Sequence, residues 1–425
     1  MTIDYWSYVL LILYILTMPL VSAFAFTGTI SLPLIFAVFL FMIMGFSTLK
    51  YGRFPKGFFG VDILIIFLLL FFDVFSYTLN GLGNSKSLNH TVAYIASFIL
   101  FYVTIKFTFF NIKDKSRLFK RVLQFITYTT LISVLYSNIE FISSNIFGVN
   151  LNDYVPRPSE AEEFYNPTAL GFIYRARGFA TESGHLGFML ELFSPLTIYY
   201  LYFSGFCKWN KFLKALSIIA IILSFISTVS VASFVLVPVA LFLASVIYAK
   251  RILLYLNAHL AKFAMITASV LVIVVLLNHF FSFYALLSLS ITGKLGSGSY
   301  DDRQDRIDFF YDTFFRSDLT KNLSGFGPAG YNILGYDEGH SILSLYYSIT
   351  FELGFIGLFL VLMLFLYAFV NVFGLKKKLG FFLLISIISG VLHFNFIANF
   401  WYPWFWFITA FTTFCNKNKF AITES

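Results

Sequence analysis

Apolar runs of 18 or more residues recur along the whole chain, and each is long enough to cross the hydrocarbon core of a bilayer. Hydrophobic residues make up 59% of the sequence and charged residues only 12%, whereas a soluble domain carries about 25% charged residues. The sequence therefore predicts an all-α polytopic membrane protein with about twelve transmembrane helices, forming a single integral membrane domain over residues 1–425. The predicted spans cover residues 5–24, 28–48, 61–79, 91–110, 122–146, 183–204, 215–230, 231–249, 263–283, 352–373, 379–399 and 401–415.

Basic residues cluster in the short loops on one side of these spans, at 49–57, 111–121, 207–214, 249–251, 375–380 and 416–419. By the positive-inside rule that side is cytoplasmic, which predicts that both termini are cytoplasmic. The net charge of +8 is thus a topology signal, and no nucleic-acid partner is expected. The first residues contain Asp4 and no Lys or Arg, so the N-terminal apolar run is interpreted as an uncleaved span. Cys207 and Cys415 adjoin basic loops and are expected to stay reduced.

Two loops are long, and both fall on the predicted outer side. Loop one covers residues 148–181 and loop two covers residues 285–339. Loops of this length are usually functional or disordered, and these two mix aromatic, glycine, proline and charged residues. We expect folded caps containing short helices over an outward-facing cavity.

Both loops carry arginines to the mouth of a span. Loop one ends in Arg175 and Arg177, followed by Glu182 at the start of a span. In loop two, residues 297–318 have the pattern of an amphipathic helix. The apolar face would contain Ile307, Phe310, Tyr311 and Phe314, and another face Asp302, Arg303 and Arg306.

Arginine donates paired hydrogen bonds to phosphate oxygens, so these four arginines are candidate diphosphate ligands. The alternative for Arg303 and Arg306 is pairing with Asp301, Asp302 and Asp305 on a solvated helix.

His340 is the one histidine well inside an outer loop, and it is a candidate general base. Residues 341–373 are too long for one perpendicular span. A separate interfacial or re-entrant helix over 341–351 is therefore predicted, with Glu352 near the outer surface. Ionisable residues also lie within spans: Asp62, Asp73, Lys106, Glu140, Glu191 and His393. Lys106 is expected to extend to the cytoplasmic surface; for the others, pairing and function remain alternatives.

The chain resembles the O-antigen polymerase (Wzy-type) and O-antigen ligase superfamily of bacterial surface-polysaccharide enzymes. The resemblance rests on the two large outer loops and on three segments: RARGFATES (residues 175–183), GFGPAGY (from Gly325), and GHSILSLYYSITFELGFIG, which contains a Glu-x-Gly-x-x-Gly pattern. The turn at 228–233 lacks the Ser-Arg that ligases and some polymerases of the family carry, which mildly favours a polymerase.

The resemblance implies a bacterial cytoplasmic (inner) membrane enzyme with its active site on the outer face. Its substrate would be an oligosaccharide on undecaprenyl diphosphate, used as donor and acceptor of O-antigen or capsular repeat units without a metal or other cofactor. Arg175, Arg177, Arg303 and Arg306 would hold diphosphate, and His340 or Glu182 would accept the acceptor's proton. The other partners that the resemblance implies are membrane lipid, a chain-length regulator and a flippase. A ligase with another acceptor and a lipid-linked oligosaccharide flippase remain alternatives.

Overall fold

The structure, a computed structural model, describes residues 3–26, 30–158, 168–169, 173–248, 298–335, 344–375 and 377–418. The described part is mostly helical. In chain order the helices are α1 (Ile3–Thr17), α2 (Leu32–Tyr51), α3 (Val61–Asn80), α4 (Ser85–Phe98), α5 (Thr104–Asn111), α6 (Lys115–Ile146), α7 (Ser183–Ile198), α8 (Lys211–Ser227), α9 (Val231–Ile247), α10 (Gly298–Phe314), α11 (Leu319–Ser324), α12 (Gly330–Ile333), α13 (Leu345–Phe373), α14 (Lys377–His393) and α15 (Pro403–Lys417). Two π-helical segments, Ile99–Val103 and Tyr199–Phe203, follow α4 and α7.

Six of these helical stretches are long and apolar enough to cross a membrane. They are Leu32–Tyr51, Val61–Asn80, Ser85–Asn111, Lys115–Ile146, Ser183–Phe203 and Leu345–Phe373. Three shorter apolar helices cover Asp4–Thr17, Val231–Ile247 and Lys378–His393. The predicted all-α membrane fold is confirmed at this level, while the count of twelve spans stays a prediction and span 263–283 lies outside the described residues. The predicted turn after Ser227 is confirmed, because α8 ends there and α9 begins at Val231.

Helices α7 and α15 lie at the centre of the bundle. Helix α7 packs against α6, α9 and α14, and nearly all of its side chains are buried. In α15, Trp404 and Trp406 are fully buried and donate indole N–H hydrogen bonds to the carbonyl oxygens of Met18 and Phe400. The outer helices instead expose large apolar side chains, such as Phe46 on α2 and Phe71 on α3, as a surface facing lipid requires.

The described parts of loops one and two lie at the same end of the bundle, which we call the loop end. The segment joining α14 to α15 contacts both regions. The ring of Phe400 stacks on that of Tyr94 on α4, with centroids 4.0 Å apart. Two residues on, the Tyr402 hydroxyl lies 3.1 Å from that of Thr181 in front of α7. Loop one also contains a two-stranded antiparallel sheet, β1 (Thr168–Ala169) and β2 (Ile173–Tyr174), in which Thr168 is opposite Tyr174.

The opposite end of the bundle contains a buried ion pair between α3 and α5. Lys106 Nζ lies 2.6 Å from Asp62 Oδ2, and both residues are fully buried. The Tyr102 hydroxyl donates to the same carboxylate oxygen across 2.5 Å. The expectation that Lys106 extends to the membrane surface is therefore wrong. Because an unpaired buried carboxylate is costly, the ammonium group turns inward to Asp62.

Candidate active site

The site begins with an interruption of α13. Gly354 adopts φ 67° and ψ −171° inside the helix, a backbone conformation that only glycine adopts readily. A separate helical segment therefore precedes the main span, as predicted. It begins at Leu345 and is separated from the span at Gly354 rather than at Phe351, while residues 341–343 of the predicted segment lie outside the described residues and its interfacial or re-entrant placement stays a prediction. The bend places Glu352, two residues before the glycine, among the ends of α3 and α4.

Loop two is bonded to this interruption through its main chain. The N–H of Phe326 donates to the carbonyl oxygen of Phe351 across 2.8 Å, and the N–H of Gly327 donates to that of Glu352 across 3.0 Å. The Ser76 hydroxyl on α3 also donates to the Glu352 carbonyl, at 3.0 Å. Backbone groups freed by a helix break within a membrane protein need such partners. The GFGPAG segment therefore supplies hydrogen bonds that the broken helix lacks.

The Glu352 side chain is buried and faces α4. Its Oε2 accepts a 2.8 Å hydrogen bond from the Tyr94 hydroxyl, and its Oε1 lies 3.3 Å from Nδ1 of His90. The carboxylate side chain is 2% exposed, whereas the His90 side chain is 22% exposed. The arrangement is a partly exposed imidazole placed beside a buried, hydrogen-bonded carboxylate.

A second buried carboxylate adjoins the first. Asp73 on α3 is fully buried, and neither of its carboxylate oxygens has a hydrogen-bond partner among the described residues. It lies within electrostatic range of Glu352. Buried polar groups are nearly always hydrogen-bonded. A buried carboxylate without such a partner is destabilising, which makes Asp73 a candidate functional residue.

Tyr331 on α12 closes this cluster from loop two. Its ring meets the His90 ring edge to face, with centroids 6.2 Å apart. Burial raises the pKa of the Tyr331 phenol, the Glu352 charge raises it further, and the charge of Arg306 opposes both. The hydroxyl therefore stays protonated at neutral pH. We call Asp73, His90, Tyr94, Tyr331 and Glu352 the Glu352 site.

Arg306 lies near the Glu352 site on the buried face of α10. The sequence pattern placed Arg306 on the polar face and Tyr311 on the apolar face, and both assignments are wrong. Arg306, Phe310 and Phe314 are all buried, while Tyr311 is 47% exposed. The physical reason is that α10 docks onto α13, where the rings of Phe310 and Phe314 pack against Tyr347 and Phe355. Arg306 is four residues before Phe310 and therefore lies on the same face of the helix.

The arginines of loop one contact other elements. The Arg177 side chain is fully buried, with Nε donating to Asn152 Oδ1 at 3.1 Å and Nη1 to the Thr181 carbonyl at 3.3 Å. Arg175 is half-buried, and its Nε donates to the Thr228 carbonyl at 3.3 Å. These contacts connect loop one to its own residues and to the α8–α9 turn.

Loop one is also held by a buried carboxylate. Glu140 near the end of α6 accepts hydrogen bonds from the main-chain N–H groups of Arg177 and Gly178, at 3.2 and 2.8 Å, and from the Asn152 amide at 2.7 Å. Glu140, predicted only as an ionisable residue within a span, is thus a structural partner of loop one. Glu182 precedes α7 and makes no side-chain capping bond to that helix.

Two of the predicted site residues have no described side chain. His340 lies outside the described residues, and only the main chain of Arg303, within α10, is described. Among the described residues, no group of three or more His, Cys, Asp or Glu side chains could hold a metal ion. Sequence reasoning missed the His90–Glu352 pair, although the Glu-x-Gly-x-x-Gly pattern and the position of His90 at a span end were the available signals.

Two more histidines are buried between α7, α14 and α15. His393 Nδ1 lies 2.9 Å from Glu191 Oε2, and both side chains are almost fully buried. His185 Nδ1 lies 3.0 Å from the Tyr402 hydroxyl. Glu191 and His393, predicted to lie deep in their spans, therefore pair with each other.

Comparison with known proteins adds no assignment to this geometry. No protein-family model matches the chain, and no curated protein matches it.

Proposed function

We propose that this chain is a membrane-embedded glycosyltransferase that polymerises O-antigen or capsular repeat units. A growing glycan leaves undecaprenyl diphosphate and joins the next lipid-diphosphate-linked repeat unit. The loop end faces away from the cytoplasm, both termini are cytoplasmic, and the host membrane is the bacterial inner membrane. This orientation is supported by the basic loops at the other end of the spans.

The observation that carries the proposal is the burial of Arg306 beside the Glu352 site. Loop two places a guanidinium group, 6% exposed, within electrostatic range of Tyr331, which itself contacts His90. A buried cation within electrostatic range of Tyr331, whose ring contacts His90, suits a reaction in which a diphosphate departs and a hydroxyl loses its proton. Arg303 precedes Arg306 by about one helical turn on α10 and is proposed as a second diphosphate ligand.

The other predicted residues keep the roles that the resemblance implies. Arg175 and Arg177 support the diphosphate from loop one, and Arg177 does so while it also positions loop one through Asn152. His340 and Glu182 remain candidates for accepting the acceptor proton. The reaction as proposed needs no metal or other cofactor.

The test is elongation of a synthetic polyprenyl-diphosphate repeat unit by the purified protein in detergent or vesicles, resolved as a ladder on a gel. Wild-type protein should produce chains of several repeat units. Arg306→Ala should produce only the unreacted unit, whereas the matched variant Arg316→Ala should retain the ladder because Arg316 is exposed and paired with Asp312. No elongation by the wild type, or a full ladder from Arg306→Ala, would contradict the proposal.

A second candidate, a lipid-linked oligosaccharide flippase, is favoured by one observation: ion pairs lie deep in the bundle, as between Glu191 and His393. The same vesicles can test it, because a flippase would move labelled lipid-linked oligosaccharide between leaflets without lengthening it. A ligase would transfer glycan only when a different acceptor is added.

A further inference from the structure

We propose that His90, positioned by Glu352, is the general base that removes the proton from the acceptor sugar hydroxyl. This inference rests on the proposed glycosyl transfer and names His90 on α4 as its base in place of His340 and Glu182. Glu352 is a positioning residue, since it acts through the histidine.

The first step is that Glu352 orients the imidazole of His90. Nδ1 of His90 is buried and lies 3.3 Å from Glu352 Oε1. The His90 side chain is 22% exposed, so other atoms of this side chain are accessible. A carboxylate beside Nδ1 selects the tautomer with its proton on Nδ1, so that Nε2 presents a lone pair.

The second step is the rigidity of the carboxylate. Glu352 is bound at Oε2 by Tyr94, while its main-chain carbonyl accepts from Ser76 and Gly327. Helix α3, helix α4 and loop two thus all hold this one residue. A base that is oriented by a fixed third group is the arrangement that activates hydroxyl nucleophiles in enzymes.

The third step is the chemistry around the ring. The groups that face His90 are Glu352, Tyr331 and Lys86, the last being one turn earlier on α4. Asp73, Tyr94 and Arg306 lie behind them, around Glu352 and Tyr331. The imidazolium that forms on proton transfer is therefore stabilised by the Glu352 carboxylate on one side, and Lys86 favours its return to the neutral form.

The fourth step is access for a sugar. An open, polar pocket lies beside the site at the start of α4. It is lined by Gly83, Asn84, Ser85, Lys86 and Asn332. Hydroxyl and amide groups of this kind suit the hydroxyls of a saccharide. Two lining residues connect the pocket to the site, since Lys86 lies one turn before His90 on α4 and Asn332 directly follows Tyr331.

Glycosyl transfer with His90 as the base forms one bond and breaks one bond at the anomeric carbon of the donor. Nε2 of His90 accepts the proton of the acceptor hydroxyl, and the oxygen forms a bond to the anomeric carbon of the donor glycan. The bond between that carbon and the diphosphate oxygen breaks, and polyprenyl diphosphate leaves with the electron pair. His90 then returns the proton to water or to the departing diphosphate.

The test measures kcat, KM and the pH dependence of elongation for His90→Gln and His90→Ala, with the exposed neighbour Asn89→Ala as control. The His90 variants should lose about 10²–10⁴-fold in kcat with little change in KM, and should lose the acid limb of the pH–rate profile. Glu352→Gln should retain that limb but move it to lower pH, because an uncharged amide no longer stabilises the imidazolium. If His90→Ala does not fold, His90→Gln and the Glu352→Gln profile decide.

The failures are distinguishable. Elongation by His90→Gln within threefold of wild type, with an unchanged pH profile, would overturn the role of His90 and leave the proposed function standing. Absence of elongation by the wild type would overturn the proposed function, and the inference with it. Loss of activity in Asn89→Ala equal to that in His90→Gln would show a general disturbance of α4 and would also overturn the inference.

Discussion

The main-chain N–H of Gly327 in loop two donates a 3.0 Å hydrogen bond to the carbonyl oxygen of Glu352, at the interruption of α13. The same residue, Glu352, holds His90 and Tyr94 through its side chain. Loop two and the candidate site therefore share one residue, which the main chain of loop two holds in place.

Gly354→Ala should destabilise the protein. A Cβ at this position would lie 2.2 Å from the Leu323 carbonyl oxygen, and the left-handed backbone conformation adds strain. We expect a cost of about 2 kcal/mol or more, measured as a lower melting temperature in detergent micelles. Gly45→Ala is the matched control, because nothing lies within 4 Å of a Cβ there and alanine favours a helix. Equal melting temperatures for the two variants would contradict the prediction.

Lys106→Met should destabilise more than the double variant Asp62→Asn, Lys106→Met. Removing the lysine alone leaves a fully buried carboxylate without its cation, which costs about 3–5 kcal/mol. The double variant has no buried charge, and its amide oxygen still accepts from Tyr102. The measurement is a double-mutant cycle on thermal stability. If the effects of the two single substitutions on thermal stability were additive, the interaction between Asp62 and Lys106 would be contradicted.

Glu140→Gln should loosen loop one. The carboxylate accepts three hydrogen bonds from loop one, whereas an amide keeps one acceptor oxygen and turns an NH2 group toward an N–H donor at the other position. We expect faster trypsin cleavage after Arg175 and Arg177. The control is Glu182→Gln, because the Glu182 side chain does not cap α7. Trypsin should cleave this variant at the wild-type rate. Indistinguishable cleavage of the two variants would show that Glu140 does not hold the loop.

Phe310→Ala should release α10 from α13. The ring is 2% exposed and packs against Tyr347 and Phe351, and loss of a buried phenylalanine costs about 3–5 kcal/mol. The readout is trypsin cleavage at Arg316 and Lys321 in loop two. The control is Tyr311→Ala, on the exposed face of the same helix. Trypsin should cleave this variant at close to the wild-type rate. The reverse order of sensitivity would restore the helix orientation expected from the sequence.

Much of the local structure was predictable from the sequence. Apolar run lengths indicated the spans, and the serine-rich stretch after Ser227 indicated the turn before α9. The length of residues 341–373 indicated that a short helix must precede the last part of α13. These features depend on neighbouring residues and on bilayer thickness, so a local pattern carries them.

The face of α10 and the partners of the ionisable residues depended on the tertiary structure. Arg306 and Tyr311 differ by five positions and were assigned by periodicity alone, but aromatic packing against α13 decided which of them is buried. Lys106 turned inward because Asp62 lies on the neighbouring helix α3. Tyr94 and Glu352 are 258 residues apart. The sequence by itself determined that the chain forms apolar helices with polar loops between them, because hydropathy is a local property. Only the tertiary structure decided that Glu352 meets His90, because that contact depends on how distant helices pack.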